Sequence, residues 1–422
     1  MKILFLTDNF PPEVNAPATR TFEHCREWVR QGAEVTVLTC FPNYPTGKAF
    51  QGYKNQLYKV EYIEGIKVVR LWSYMTANQG FFKRVLDYVS FAFMAFWAGL
   101  FKKTDVIVAT SPQFFTAVAG GALGLFKRIP WIFEVRDLWP ESIRAVEAMR
   151  TQRVLDWLEK LELLLYRKAT GIVVVTNAFK DNLVRRGIKA GKIEVIKNGV
   201  MLDVYQPKPK NKALLEKHGL TNKFVVAYMG THGMAHKLDF LIEAAIHIKD
   251  PSVQLVFIGD GAEKANLLRL IEKLQPKNVT MIDSVTKAEM VDYISITDLA
   301  LVNLKKSDTF KTVIPSKIFE NAAMQKPILL GVEGESKGIV EYYEAGLCFE
   351  PENEIDFIEK LMTLKSNTAF YADCQEGCSQ LATDFDRIRL AHKFYNLMCR
   401  MTGHDVEIPI KIEIQKREVE VV

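Results

Sequence analysis

The stretch 315–331 reads PSKIFENAAMQKPILLG, and it predicts a loop, a short helix that begins near Pro315, and a strand at 328–331. Lys317 lies in the first turn of that helix, where free backbone N–H groups and the helix dipole favour an anion such as phosphate. Glu320 follows one turn later and has the acceptor oxygens that a ribose diol needs. Phosphate and ribose together indicate a nucleotide, so this stretch predicts a nucleotide site in an α/β domain.

Apolar strands and helices alternate through the chain in two series. The first series opens with a strand at 3–7, a helix at 19–31 and a strand at 34–39, and the second restarts with a strand at 225–229 after a Pro-, Lys- and Asn-containing linker at 205–211. Short strands joined by helices predict parallel sheets that are covered on both faces. We therefore predict the α/β class, with two Rossmann-like, doubly wound domains and a cleft between them where ligands bind.

The predicted domain boundaries follow from the linker and from the last amphipathic pattern. Residues 1–204 form the first domain, 205–384 the second, 385–403 a C-terminal helix, and 404–422 a tail. The tail alternates apolar and charged residues, which fits either an added strand or a disordered segment.

Composition narrows the class of protein. The 422 residues exceed one hydrophobic core, and 48% hydrophobic with 25% charged residues is ordinary for a globular protein. The net charge of +5 is too small to favour a nucleic-acid partner. The six cysteines have neither disulfide nor zinc spacing, which predicts reduced thiols. The apolar run at the N-terminus is too short for a signal peptide, so we expect a cytoplasmic protein.

The segment 81–103 interrupts the alternation. It is apolar and rich in aromatic residues, with Lys83 and Arg84 near one end and Lys102 and Lys103 at the other. Asp87 divides the apolar run, so the segment is poorly suited to span a bilayer. Two interpretations stay open. The segment is a helix buried against the sheet, or it lies in the membrane interface with its basic residues toward anionic headgroups.

Four clusters of the second series converge on the predicted cleft. The sequence 230–237, GTHGMAHK, has glycines that let backbone amides approach a phosphate, and His236 or Lys237 could add a cation. The alternative is an ordinary turn between a strand and a helix. The Gly-Asp-Gly at 259–261 and the strand end at 282–285 are weaker signals, and the stretch 315–320 is the fourth cluster.

Two clusters follow strands of the first series. The loop 9–20 comes after the first strand, and Arg20 there either faces an anionic acceptor or pairs with a carboxylate. The stretch 134–142 has four charged residues at a strand end, where charge is costly unless it is paired or used. Arg136 and Asp137 are candidates for function, and a purely structural ion pair is the alternative.

In this order the motifs resemble those of the retaining GT-B glycosyltransferases of family 4, over the chain to about residue 400. The resemblance rests on the loop 9–20 and on DLWPES at 137–142, KNGV at 197–200, GTHGMAH at 230–236 and PSKIFE at 315–320. These motifs look most like the subgroup that assembles bacterial surface polysaccharides, including the fucosamine-type (6-deoxy-amino-sugar) transferases of O-antigen synthesis.

The resemblance implies a nucleotide sugar, usually UDP-linked, on the second domain and an acceptor on the first, without a metal or other cofactor. It also implies that the C-terminal helix crosses back to the first domain. An N-acetylated 6-deoxy-amino sugar is among the donors expected. The implied acceptor is an undecaprenyl-diphosphate-linked saccharide, which places the protein peripherally on the cytoplasmic face of the inner membrane.

The residues and the resemblance together give three sets of expected site residues. Asp137 and Lys317 are the expected catalytic residues. The expected donor-binding residues are Gly230, Thr231, His232, Gly233, His236, Lys237, Gly259, Asp283, Ser284, Val285, Pro315, Ser316, Lys317 and Glu320. The expected acceptor-binding residues are Pro12, Asn15, Ala16, Arg20 and Arg136.

The sequence departs from the family pattern at two places. Thr312 stands where a second glutamate is usual, and Thr231 and His236 replace the basic residues of the phosphate loop, which leaves Lys317 as the expected main cation. Two other functions stay open: a nucleotide-sugar 2-epimerase of the same fold, which needs no acceptor, and a non-catalytic, membrane-bound assembly partner, for which Thr312 is the support.

Overall fold

The first domain is built on a sheet of eight strands. The computed structural model describes residues 1–44, 46–76, 81–138 and 152–405. The strands of this sheet are β1 (Lys2–Leu6), β2 (Glu34–Cys40), β3 (Tyr58–Ile63), β4 (Ile66–Leu71), β5 (Val106–Thr110), β6 (Trp131–Val135), β7 (Gly171–Val174) and β8 (Ile193–Val195). Their spatial order is β3-β4-β2-β1-β5-β6-β7-β8, and among these described strands only the β3–β4 pair is antiparallel.

Helices cover both faces of this sheet. They are α1 (Ala16–Arg30), α2 (Phe81–Leu100), α3 (Phe114–Lys127), α4 (Gln152–Lys168) and α5 (Asn177–Arg185). Helix α1 begins at Ala16 because of two local signals. The Asn15 side chain accepts a hydrogen bond from the backbone N–H of Ala18, and Pro17 lies in the first turn. The start of α1 at this point sets where the loop that follows β1 ends.

Helix α2 is buried on one face only. Phe91 and Ala95 are inaccessible and belong to the core between α2, α3 and the sheet. A Cβ on Gly99 would lie 2.6 Å from Leu123 Cδ1, so glycine permits close contact between α2 and α3. Among the helices that the structure describes, none is long and apolar enough to cross a bilayer.

The second domain has a parallel sheet of six strands. They are β9 (Phe224–Met229), β10 (Val253–Ile258), β11 (Val279–Ile282), β12 (Leu299–Asn303), β13 (Ile328–Gly331) and β14 (Gly346–Cys348), in the spatial order β11-β10-β9-β12-β13-β14. The helices that follow are α6 (Lys212–Lys217), α7 (Leu238–Ala245), α8 (Lys264–Leu274), α9 (Lys287–Ser295), α10 (Lys317–Ala323), α11 (Glu335–Tyr342), α12 (Glu354–Ser366), α13 (Thr368–Asp384) and α14 (Arg387–Thr402). The two doubly wound domains confirm the predicted fold class.

The last helix, α14, packs on α1 of the first domain. The indole N–H of Trp28 donates to the carbonyl of Ala391 at 2.9 Å, and the rings of Trp28 and Phe394 meet edge to face at 5.2 Å. The chain therefore enters the second domain after β8 and returns to the first through α14. Most of the predicted tail, from residue 406 onward, lies outside the described residues, as does the 139–142 part of the DLWPES motif.

Candidate functional site

A cavity of about 430 Å³ lies between the two domains. Its first-domain wall comes from the start of α1 and from strand ends, and its second-domain wall comes from the starts of α9 and α10. The lining residues are Val14, Ala16, Thr19, Arg20, Arg136, Asn198, Tyr205, Val285, Thr286, Lys287, Met290, Ser316, Glu320 and Arg387. This central cavity contains residues from both the predicted donor set and the predicted acceptor set.

Lys317 points from α10 to the turn after β9. Its Nζ donates to the Tyr228 hydroxyl at 2.8 Å and lies 4.1 Å from the centre of that ring. A Cβ on Gly230, whose φ is +138°, would lie 2.6 Å from the same Nζ, so only glycine lets the lysine approach this turn. Burial lowers the pKa of Lys317 to about 8. The lysine is a cation placed against the predicted phosphate loop.

The two histidines of this loop are neutral near pH 7. Burial lowers the pKa of His232 and of His236 to about 4, and the positive charge of Lys317 adds to both shifts. His232 is inaccessible, and neither of its ring nitrogens has a hydrogen-bond partner among the described residues. The loop therefore offers neutral imidazoles, and the positive charges that act on them come from Lys317 and, at His232, also from Lys264.

Glu320 faces the central cavity one helical turn beyond Lys317. Within the described part of the chain, no residue donates a hydrogen bond to its carboxylate. Burial raises its pKa, while the positive charges of Lys287, Lys317 and Arg387 oppose that shift. Its oxygens are free to accept hydrogen bonds from a diol, which is the role that the sequence predicts for Glu320.

The remaining predicted donor residues occupy three places. Gly259 touches the Gly230 turn, since a Cβ on Gly259 would lie 1.9 Å from the Gly230 carbonyl oxygen. Ser316 and Val285 line the central cavity. Pro315 directly precedes Ser316, and the exposed Asp283 and Ser284 directly precede Val285. Gly233 and Lys237 line a separate cavity of about 400 Å³, and the carbonyl of Thr231 accepts the Tyr228 hydroxyl at 2.8 Å.

The two arginines of the predicted acceptor set differ in their contacts. Arg20 is buried, its Nε lies 3.0 Å from Glu134 Oε1, and its Nη2 donates to the carbonyl of Ile196 at 3.0 Å. These contacts fit the structural alternative for Arg20. Arg136 Nη1 is buried without a hydrogen-bond partner in the described ranges, and burial lowers the pKa of Arg136 to about 9, against the opposing charge of Glu134. Arg136 is thus the arginine of this pair that can meet a ligand.

The other predicted acceptor residues lie along the loop before α1. Ala16 lines the central cavity, whereas Asn15 lines a different cavity within the first domain. Pro12 is exposed on the same loop.

Asp137 lies in a neighbouring opening of about 530 Å³, also between the domains, which Thr312 lines from the opposite side. This opening is larger than the central cavity, but neither Lys317 nor Glu320 is among its described lining residues. Glu335 of the second domain accepts hydrogen bonds from the backbone N–H groups of Asn177 and Ala178, in the first domain, at 3.0 Å each. The catalytic role of Asp137 stays a prediction, and its neighbour Arg136 is the residue that reaches the central cavity.

Four residues at the site were missed by sequence reasoning. Tyr228 holds Lys317, and Glu23 of α1 pairs with both Lys287, at 3.2 Å, and Arg387, at 2.9 Å. The capping pattern from Thr286 to Glu289 marks a helix start after a strand end and was a usable signal for Lys287. Arg387 had no such signal, because it reaches the cavity from α14, far along the chain.

Both domains match known protein families. A family model described as "Glycosyl transferase 4-like domain" matches residues 15–199. A second, described as "Glycosyl transferases group 1", matches residues 210–380. The two walls of the central cavity therefore come from two glycosyltransferase domains.

Similar proteins cover nearly the whole chain. A protein of Escherichia coli (strain K12), named for a colanic acid biosynthesis glycosyl transferase (WcaI), is 23% identical over 366 residues, which are 84% of this chain and 89% of the relative. The structure of HepE from Anabaena in complex with UDP has a TM-score of 0.69 at 16% identity and covers 95% of this chain and 100% of that chain. WaaG, a glycosyltransferase involved in lipopolysaccharide biosynthesis, has a TM-score of 0.67 at 13% identity, with 94% and 99% covered. At such identities the likeness to solved structures shows the fold, and the matched domains show the family: the chain is a glycosyltransferase of the GT4 family with the GT-B fold.

Proposed function

We propose that this glycosyltransferase moves a sugar from a UDP-linked donor to a lipid-linked saccharide, with retention of configuration, in the synthesis of a surface polysaccharide such as O-antigen. The observation that carries the proposal is the pairing of Lys317, fixed against the Gly230 turn, with the free carboxylate of Glu320 one turn away. Together they fit a diphosphate and a ribose. The complex of HepE with UDP and the names of the relatives support the nucleotide and the pathway class.

The proposed reaction depends on positive charge and backbone N–H groups that are already in place to stabilise the leaving UDP. The bond between the anomeric carbon and the β-phosphate oxygen breaks, and negative charge grows on the leaving UDP. Lys317 and the backbone amides of the 230–233 turn stabilise that charge, so the chemistry needs no metal. The acceptor hydroxyl attacks from the same face and passes its proton to the leaving phosphate.

Replacing the two donor residues tests the assignment. We expect Lys317→Ala and Glu320→Ala each to lower kcat/KM by more than ~10-fold, since each loses an interaction of at least ~1.4 kcal/mol. Lys365→Ala is the matched control, because Lys365 pairs with Asp250 at 2.6 Å and lies outside the predicted donor set. Near wild-type transfer by both test variants would contradict the assignment of Lys317 and Glu320 to the donor site.

The donor sugar is proposed to be an N-acetylated 6-deoxy-amino sugar. Val285 and Met290 give the central cavity apolar side chains that suit a methyl or acetyl group. A screen of UDP-sugars, with membrane extract as acceptor and mass spectrometry as readout, identifies the donor. Transfer confined to a sugar without these groups would contradict this part of the proposal.

The outer face of α2 supports a membrane surface as the place of action. Its side chains at helical spacing are exposed, with Phe93 at 62%, Trp97 at 49% and the following Phe101 at 83%. The end of α3 extends the face, because Phe126 is 70% exposed and its ring lies 5.5 Å from that of Phe96. An exposed aromatic patch of this kind is typical of a membrane or protein contact.

Basic residues at both ends of α2 favour an anionic membrane over an apolar protein partner. Lys83 and Arg84 are exposed at its start, and Lys103 is exposed beyond its end. Aromatic side chains between basic ends suit the interface of an anionic bilayer. We therefore propose that α2 and the end of α3 rest on the cytoplasmic face of the inner membrane, where an undecaprenyl-diphosphate-linked acceptor lies.

A further inference from the structure

A second cavity, of about 260 Å³, lies within the first domain beneath α2. Asn15 and Pro17 line it, whereas Ala16 between them lines the central cavity. The two cavities therefore lie on opposite sides of one turn. Arg84, Asp87 and Tyr88 of α2 form part of the wall of this second cavity, which we call the α2 pocket.

The α2 pocket contains hydrogen-bond acceptors that lack donors. Asp87 is only 7% exposed, and its Oδ1 has no hydrogen-bond partner among the residues described, although the nearby Ser73 hydroxyl lowers the pKa of this carboxyl. Asp8 Oδ1 and Gln113 Oε1 are also buried without a hydrogen-bond partner in the described residues, although Gln113 Nε2 donates to Asp8 Oδ2 at 2.8 Å. A buried acceptor without a donor is costly, so a ligand that brings donors would be favoured here.

A neighbouring carboxylate shows what a purely structural acid looks like in this region. Glu13 is also buried, but its Oε1 accepts the backbone N–H groups of Asn43 and Tyr44 at 2.9 Å each. Within the described ranges, Asp8 Oδ1 and Asp87 Oδ1 have no comparable pair of donors. Their arrangement is that of a binding site for a ligand that donates hydrogen bonds.

Charge and size define the ligand class. Asp87, whose pKa burial raises to about 6, is charged at neutral pH and disfavours an anion, while burial and the charges of Asp87 and Glu13 raise the pKa of Asp8. Arg84, a cation in the wall of the pocket, already donates to the Tyr88 hydroxyl at 3.0 and 3.1 Å. The pocket suits neutral groups that donate hydrogen bonds, which hydroxyls do. Its volume of about 260 Å³ lies below the range for drug-sized ligands and suits a single ring.

We propose that the α2 pocket binds one uncharged sugar ring of the acceptor, whose hydroxyl groups donate to Asp8 and Asp87. The inference rests on the proposed function and specifies its acceptor side. Helix α2 would then serve two purposes, since its outer face meets the membrane and its inner face holds the sugar nearest the lipid. The turn at residues 15–17 separates that sugar from the central cavity.

Saturation-transfer NMR with simple glycosides tests the pocket without depending on catalysis. The probes are methyl α-D-glucopyranoside, methyl α-D-galactopyranoside and methyl N-acetyl-α-D-glucosaminide, with glucuronic acid as the anionic comparison, all in the presence of UDP. We expect transfer to at least one neutral glycoside and none to glucuronic acid. Asp8→Ala and Asp87→Ala, which remove the acceptor oxygens, should each abolish the signal, whereas Asp181→Ala, in the other interdomain opening, should keep it.

UDP calorimetry separates this inference from the proposed function. The two pocket variants should bind UDP like the wild type, which also shows that they are folded, while Lys317→Ala should lose UDP binding and keep the glycoside signal. No signal from any neutral glycoside, or a signal that both pocket variants retain, overturns the inference. Unchanged UDP binding by Lys317→Ala would instead count against the donor site.

Discussion

At the scale of single residues, Lys317 makes donor binding depend on pH. Burial lowers its pKa to about 8, so the free enzyme loses this positive charge as the pH rises through that value. We expect UDP affinity, measured by calorimetry, to fall roughly 10-fold between about pH 7 and pH 9. Lys317→Arg should show a flat profile over this range, because arginine stays charged. A wild-type affinity that does not change with pH would contradict the role of Lys317.

Asp87, a residue of the proposed sugar site, should lower the stability of the folded protein when its carboxyl is charged. Burial, with the negative charge of Glu13, raises its pKa to about 6 although the Ser73 hydroxyl opposes the shift. The folded state therefore binds the proton more tightly than the unfolded state, and the charged form costs stability above about pH 6. Asp87→Asn should raise the free energy of unfolding by roughly 1–3 kcal/mol at about pH 7.5, with the gain fading toward pH 4. Urea denaturation at both pH values measures this, and a loss of stability at the higher pH would contradict it.

Sequence reasoning at the residue level reaches only those arrangements whose contacts are local. The positions of Lys317 and Glu320 followed from one helical turn: Glu320 lines the central cavity, and Lys317 lies against the Gly230 turn. The partner of Lys317, Tyr228, is 89 residues away, and Asp8 and Asp87 meet only because α2 folds over the end of β1. Such pairings depend on tertiary packing, which periodicity in one sequence does not encode.

At the scale of elements, the turns after β9 and β10 act as one unit. Gly259 has φ of +149°, and a Cβ there would lie 1.9 Å from the carbonyl oxygen of Gly230. Gly259→Ala should therefore displace the predicted phosphate loop and weaken UDP binding by at least ~10-fold, as a loss of ~1.4 kcal/mol would. Calorimetry measures the effect.

A second glycine provides the control for that substitution. Gly338 lies in α11, where an added Cβ would meet nothing within 4 Å. Gly338→Ala should therefore leave UDP binding unchanged and add up to ~1 kcal/mol of helix stability. Equal effects of the two substitutions on UDP affinity would show that the contact between the two turns is unimportant.

Among the elements, long apolar ones were predictable and short or edge ones were not. The segment 81–103 was recognised because it is mostly apolar and rich in aromatic residues, and α2 spans Phe81–Leu100. β3 was missed because it is an edge strand whose residues alternate between exposed and half-buried, with charged side chains among them. α7 begins at Leu238 and ends at Ala245, and apolar residues continue past its end, so the hydrophobic pattern alone does not mark where this helix stops.

At the scale of the whole molecule, the aromatic face of α2 should decide where the protein resides. Flotation with anionic liposomes should recover the wild type, and the triple variant Phe93→Ser, Trp97→Ser, Phe101→Ser should remain in the dense fraction. A variant with Lys83, Arg84, Lys102 and Lys103 neutralised should float less on anionic vesicles and behave like the wild type on neutral ones.

The control for flotation is an exposed apolar residue elsewhere on the molecule. Ile355 of α12 is 79% exposed in the second domain, and Ile355→Ser should float like the wild type. Equal recovery of the wild type and the triple variant would remove α2 as the membrane contact.

The return of α14 to the first domain also governs the order of biosynthesis. The aromatic surface around Trp28 is completed by Phe394, which follows the whole second domain in the chain. During translation the ribosome therefore makes that domain before it supplies the helix that closes the first. The nascent chain carries an open apolar face for most of its synthesis, which is the kind of surface that cellular chaperones hold.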